Sequence, residues 1–164
     1  MAPKLELCFT MRGYMDKANS HDLKTMKAGP TRIMVPMTHG FIKGSGLQAK
    51  LTPGGGDWIL LDTSLNVAHL DVRTQARTDD GESVYVHYNG ILKIDEAGSK
   101  VLAWAKDAKT TNFGDHYWFS GPIIETSSKE FKWVENTAFV GQGRFIVDDD
   151  GAEAVEYEIY KVTN

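Results

Sequence analysis

Leu70-Asp71-Val72-Arg73-Thr74-Gln75-Ala76-Arg77-Thr78, then Asp79-Asp80-Gly81, then Glu82-Ser83-Val84-Tyr85-Val86-His87-Tyr88-Asn89-Gly90 reads as one β-hairpin. Two runs of period-two alternation flank a tripeptide whose glycine suits the left-handed position of a three-residue loop. Pairing Thr78 with Glu82 sets the register. Val72, Thr74, Ala76, Val84, Val86 and Tyr88 then share one face, and Asp71, Arg73, Gln75, Arg77, Tyr85, His87 and Asn89 the other. The first face is apolar; the second gathers a carboxylate, a guanidinium, a phenol and an imidazole.

The same reading extends in both directions. Asp149-Asp150-Gly151 joins a second hairpin that aligns Phe139, Phe145, Val155, Tyr157 and Ile159, with Arg144 opposite Glu156 as an ordinary exposed ion pair. Gly141 and Gly143 fall on its inner face and leave room for a bend or for a bound molecule. Upstream, Leu5, Leu7, Phe9 and Met11 form the face of a first strand, and residues 12–30 read as a long, mobile loop able to act as a lid. Ile33, Val35 and Met37 alternate before His39-Gly40. Leu47, Ala49 and Leu51 alternate before the turn Pro53-Gly54-Gly55-Gly56-Asp57, where Asp57 is expected to cap the turn and Trp58 and Leu60 to open the returning strand. Only Ser99 to Lys109 reads as helix, with Ser99 as N-cap and Val101, Leu102, Ala105 and Ala108 as its apolar stripe. Ser127-Ser128-Lys129-Glu130 has capping-box spacing and starts a short turn that delivers Phe131 and Trp133.

About ten strands and one short helix in a single domain, 1–164, predict an all-β fold. A closed antiparallel barrel is the solution that removes exposed edges. A chain of 164 residues buries enough surface to fold without disulfides or metal clips. The lone Cys8, among apolar neighbours, reads as a buried structural thiol. The N-terminal residues lack a long apolar run and no stretch approaches a membrane span, so a cytoplasmic protein with no membrane partner is expected. A net charge of −4 with scattered lysines argues against nucleic acid.

Several chemistries find no motif. Gly54-Gly55-Gly56 lacks the Lys-Ser/Thr of a phosphate loop and precedes a strand. The histidines at 21, 39, 69, 87 and 116 lack metal-ligand spacing, and no nucleophile elbow surrounds Ser120. Neither a metal nor a cofactor is expected.

What remains is the polar face of the central hairpin. If it lines the lumen, Arg73 holds an oxyanion, Asp71 orients Arg73, and Tyr85 or His87 moves a proton. If it faces outward, the same residues are a solvated surface with routine ion pairs. The pattern alone leaves both open. Trp58, Tyr117 or Trp118, Phe131 and Trp133 are candidates to wall a pocket for a flat ligand. His39, Glu135 and Asn136 are candidates at the pocket mouth, and Asn89 lies beside the polar cluster.

Gly40-Phe41, Leu47, Pro53 to Trp58, Leu70 to Arg73, Arg77 to Gly81, Val84 to Val86 and Gly90 follow one another in an order and spacing similar to the small barrel proteins of domain-of-unknown-function family 3237. Pro122, Glu125, Trp133 and Phe139-Val140-Gly141-Gln142-Gly143 extend the resemblance over nearly the whole chain. The resemblance implies a calycin-like β-barrel, with some fungal members tied to natural-product pathways as cofactor-free isomerases or cyclases. Two positions depart from the family pattern. His39 stands where a glycine is common, and Trp133-Val134-Glu135 where Trp-Leu-Asn is common. The expected activity is thus a cofactor-independent isomerase or cyclase for a small, apolar, oxygenated metabolite. The alternatives are a non-catalytic binding barrel and a hydrolase or lyase with Glu135 or Asp71 as base. A homodimer through an outer face is compatible with the pattern.

Overall fold

The Thr78 amide donates to Glu82 O at 2.9 Å and Gly81 sits at φ 93°, so the central hairpin closes through the three-residue loop that its sequence demands. The second hairpin repeats the device, with the Asp148 amide on Ala152 O and Gly151 at φ 81°. The computed structural model describes residues 1–27 and 29–164. Its strands are β1 (Lys4–Met15), β2 (His21–Thr25), β3 (Thr31–Gly44), β4 (Leu47–Asp62), β5 (Val67–Thr78), β6 (Ser83–Lys93), β7 (Trp118–Thr126), β8 (Phe139–Val147) and β9 (Glu153–Thr163), with helix α1 (Glu96–Leu102) between β6 and β7. Neighbours pair antiparallel in the order β1-β9-β8-β7-β6-β5-β4-β3-β2, and β1 also pairs with β3. Eight strands therefore close into a barrel, and β2 lies outside the ring against β3. The described residues hold nine strands against the ten expected. The difference lies largely in long strands that run through apparent turns: β1 continues to Met15, and β4 passes through Pro53–Gly56. Residues 21–25, expected within a loop, form β2; Ala28, also in that segment, lies outside the described residues.

Alternation sorts side chains as a barrel requires. Val72, Ala76, Val84, Val86 and Tyr88 are buried in the lumen with Phe9, Ile42, Trp118, Phe145, Tyr157 and Ile159. A one-residue bulge between Leu7 and Phe9 breaks the phase of β1. Phe9 turns in, while Leu5 and Leu7, expected on the same face, are more than half exposed. Gly143 is bare for a packing reason: an added Cβ would lie 2.5 Å from the Trp118 indole. Ser120 and Tyr157 close over Gly141 in the same way, so the space left by these two glycines is filled by the protein itself.

Both barrel ends are closed. Asp95, rather than Ser99, caps α1, with its carboxylate accepting from the Gly98 amide. The helix ends at Leu102, well short of the Lys109 expected. At the opposite end a 3-10 turn over Lys132–Asn136 buries Val134 and stacks Trp133 on Phe9 at 5.8 Å. No side chain caps that turn, so the capping box read at Ser127 does not form there. Cys8 is free and buried. Among the described residues, no helix is long and apolar enough to cross a membrane.

On the outer wall, Glu156 is only 3% exposed and bridges two arginines. It accepts from Arg12 Nε at 2.6 Å and from Arg144 at 2.6 and 3.0 Å. The Arg144–Glu156 pair is therefore part of a covered network, where an exposed pair was expected.

Candidate active site

The inward row of β4, read back from Leu61 through Ile59, reaches Asp57. This carboxyl points into the barrel opposite Val72 and Val35. It does not cap the glycine turn; its Oδ1 accepts the Asp71 amide at 3.0 Å. Around it, Tyr88 from β6, Trp118 from β7 and Tyr157 from β9 complete the polar part of a lumenal cavity. Met15, Met37, Ile59, Leu70, Leu102 and Phe145 supply much of its apolar wall. The cavity holds about 30 Å³, room for a water molecule or two.

The electrostatics follow from enclosure. Burial pushes the Asp57 carboxyl up from 3.8 to about 7, because ionisation there gives up water for an apolar wall. The Asp71 amide opposes the rise, and the Asp71 carboxylate adds to it. Burial also raises both tyrosines above the ordinary phenol value, so Tyr88 and Tyr157 stay neutral hydrogen-bond donors. Trp118 Nε1 donates to Tyr157 Oη at 2.8 Å, which leaves the Tyr157 proton free for another acceptor. Tyr88 Oη is buried beside Tyr157, their rings 5.0 Å apart, with no hydrogen bond of good geometry among the described residues. A second carboxyl, Glu153, lies buried at the start of β9 near Lys17 and is likewise pushed up by burial to about 7.

The residues expected to do the chemistry lie elsewhere. Asp71, Arg73, Tyr85, His87 and Asn89 occupy the outer face, because Val72, Thr74, Ala76, Val84, Val86 and Tyr88 take the inside and alternation allows only one set there. Asp71 does hold Arg73, at 2.9 Å, and lies 3.6 Å from His87, but Arg73 is half exposed. His39 sits at a break in the β3–β4 register, exposed and stacked on Tyr14 at 4.4 Å. Glu135 is exposed and accepts from the Thr126 amide and Lys132, which hold it below the usual carboxylate range. Asn136 is exposed on the same turn. Trp58 points outward, Tyr117 is exposed beneath Lys93, and Phe131 and Trp133 plug the far end. Of the proposed site residues, only Trp118 reaches the cavity.

Asp57, Tyr88 and Tyr157 line the cavity but were not among the site residues read from the sequence. Tyr88 and Tyr157 were already placed on the apolar faces of their hairpins, where a hydroxyl is out of place without a partner. Asp57 carried the signal of a carboxylate in phase with Ile59 and Leu61. The Pro53–Gly56 run hid that phase. Among the described residues, no group of three or more His, Cys, Asp or Glu is arranged to hold a metal ion.

The family model for DUF3237, a protein of unknown function, matches residues 3–162. The chain belongs to the DUF3237 family. It is 28% identical over 109 residues to a UPF0311 protein of Clostridium acetobutylicum, covering 66% of each chain. It is also 24% identical over 117 residues to PR-toxin biosynthesis cluster protein 7 of Penicillium roqueforti, covering 71% of this chain and 62% of that protein. Among solved structures, a conserved protein of unknown function from Rhodopseudomonas palustris superposes with a TM-score of 0.81 at 21% identity, covering 99% of both chains. An enzyme from Penicillium herquei superposes at 0.63 with 15% identity, covering 99% of this chain and 96% of that one. These likenesses establish the DUF3237 barrel.

Proposed function

We propose that the barrel is a cofactor-independent isomerase or cyclase in which Asp57 moves the proton within the lumen. One observation carries the reading: a carboxyl shares an apolar lumen with two buried phenols, and burial pushes it up to about 7. A general acid–base works best when its pKa lies near the operating pH. The Asp57 carboxylate takes a proton from a substrate hydroxyl or activated C–H. It then gives a proton back to another atom of the same molecule, so the molecular formula is unchanged. Oxygen that gains negative charge on the way accepts from the Tyr88 and Tyr157 hydroxyls, in a wall with little competing water. The cavity lining carries one ionisable carboxyl and no cationic side chain, which suits an uncharged, largely apolar, oxygenated substrate. Met15 and Met37, unbranched and adaptable, can repack to admit a molecule larger than the resting cavity. The fungal relative named for a toxin biosynthesis cluster and the Penicillium enzyme are in keeping with a role in secondary metabolism.

The test is incubation with a metabolite extract of neutral oxygenated compounds, followed by mass spectrometry. Conversion of a compound to an isomer of equal mass, lost in a folded Asp57→Asn variant, is the expected result. A compound released unchanged points to a non-catalytic binding barrel, and a change of mass by water points to a hydrolase or lyase. Equal turnover by Asp57→Asn rejects the proton-transfer assignment.

A further inference from the structure

We infer that Asp57 is reached from outside through a lateral port in the barrel wall between β3 and β4, and that its proton exchanges with bulk water there while the substrate occupies the lumen. The purpose assigned to the port rests on the acid–base reading of Asp57; the port itself rests on backbone geometry.

The β3–β4 register runs from Thr31↔Leu61 to Pro36↔Gly56 and resumes only at Gly40↔Leu51, with one extra residue on β4. The β4–β5 register breaks at the same height, between Thr52↔Gln75 and Gly56↔Arg73, with two extra residues on β4. Pro53, Gly54 and Gly55 are thus out of register with both neighbouring strands. Pro53 has no amide hydrogen to offer either of them. Gln75 Nε2 pins the bulge in place by donating to Pro53 O at 2.6 Å and Thr52 O at 3.3 Å.

The glycines keep this stretch bare. An added Cβ at Gly56 would lie 2.9 Å from Val35 O, and one at Gly55 would lie 2.7 Å from Arg73 O, so neither position accepts a side chain without moving backbone. Beside this stretch lies an outer groove of about 210 Å³, bordered by Met34, Pro36, Gly54, Gly55 and Trp58 as well as Asp57. Asp57 therefore borders both the groove and the lumenal cavity. Its Oδ1 is taken by the Asp71 amide, which leaves Oδ2 to carry the exchanging proton. The helix end is the competing route. There Leu102 of α1 lines the cavity, and the loop beyond it is pinned by Lys17, whose Nζ lies 5.6 Å over the Trp104 ring.

A protonated carboxyl reacts with a water-soluble carbodiimide, and glycinamide then traps the adduct as an amide with loss of the urea. At pH 6.5, exposed carboxylates are ionised while Asp57 and Glu153 are largely protonated, and peptide mass mapping separates the two and reads access to Asp57 over time. Wild-type Asp57 is expected to label. Met34→Trp, which fills the groove beside Trp58, is expected to slow labelling at least tenfold, and Leu102→Trp to change it less than twofold. Met34→Phe gives a milder filling should the larger side chain disturb folding, which circular dichroism reports. A greater slowing by Leu102→Trp, equal labelling in every variant, or no labelling of wild-type Asp57 each overturns the port. Full turnover by Asp57→Asn would remove the acid–base reading and leave the labelling result to stand or fall by itself.

Discussion

Replacing Asp57 by Asn should change how the stability of the protein depends on pH. Burial lifts this carboxyl from 3.8 to about 7, a rise of about three units at about 1.4 kcal/mol each, or about 4 kcal/mol in all. The sign follows from proton counting. Between those two values the unfolded chain has released the proton and the folded chain has kept it, so the contribution of Asp57 to stability falls as pH rises from about 4 to about 7, then levels off. Asn cannot ionise, and its amide oxygen can still accept the Asp71 amide. Urea unfolding of both proteins at pH 5 and pH 8 isolates the effect, because Glu153, raised in the same direction, is common to both and cancels. Relative to wild type, Asp57→Asn should gain about 3 kcal/mol between pH 5 and pH 8, the part of the titration within that window. That corresponds to a gain in Tm of about 6–12 °C for a chain of this size. Stability curves that stay parallel within about 0.5 kcal/mol would mean that Asp57 ionises as it does in the unfolded chain, and the enclosure argued for it would be wrong.

Three further outcomes follow from the packing. Gly143→Ala drives a methyl into the Trp118 indole and should cost about 1–3 kcal/mol in denaturant unfolding; a loss below about 0.5 kcal/mol would contradict the tight glycine–indole contact. Arg73→Ala removes a half-exposed ion pair on the outer wall and should cost less than about 1 kcal/mol, with conversion in the metabolite assay within twofold of wild type. A tenfold loss of turnover in that variant would return the chemistry to the outer face. Glu156→Ala leaves Arg12 and Arg144 facing each other without their shared carboxylate and should cost about 3–5 kcal/mol by thermal and urea unfolding, against the small effect of an exposed pair.

Much of the barrel was legible in the chain. Both hairpins form with the predicted loops, because Asp-Asp-Gly with a glycine at positive φ dictates a local geometry that needs no distant partner. The apolar rows of β5, β6, β8 and β9 also follow directly from period-two alternation. Errors gathered where a bulge changes the phase. One extra residue near Cys8 turned Leu5 and Leu7 outward, and the irregular Pro53–Gly56 run concealed that Asp57 and Trp58 face opposite ways. The helix was misplaced because Asp95 outcompeted Ser99 as its cap.

The chain by itself determined that its strands would pair in register, each with one greasy and one polar face, since alternation and turn chemistry act over a few residues. Which face would line the lumen was decided only when the sheet closed. Closure gave the lumen to the larger apolar set and sent Asp71, Arg73, Tyr85 and His87 to the outer face. It also brought Asp57, Tyr88, Trp118 and Tyr157 together from four strands far apart in sequence. The perturbed carboxyl exists only there, because its pKa is a property of the surrounding wall, and no short stretch of sequence contains that wall.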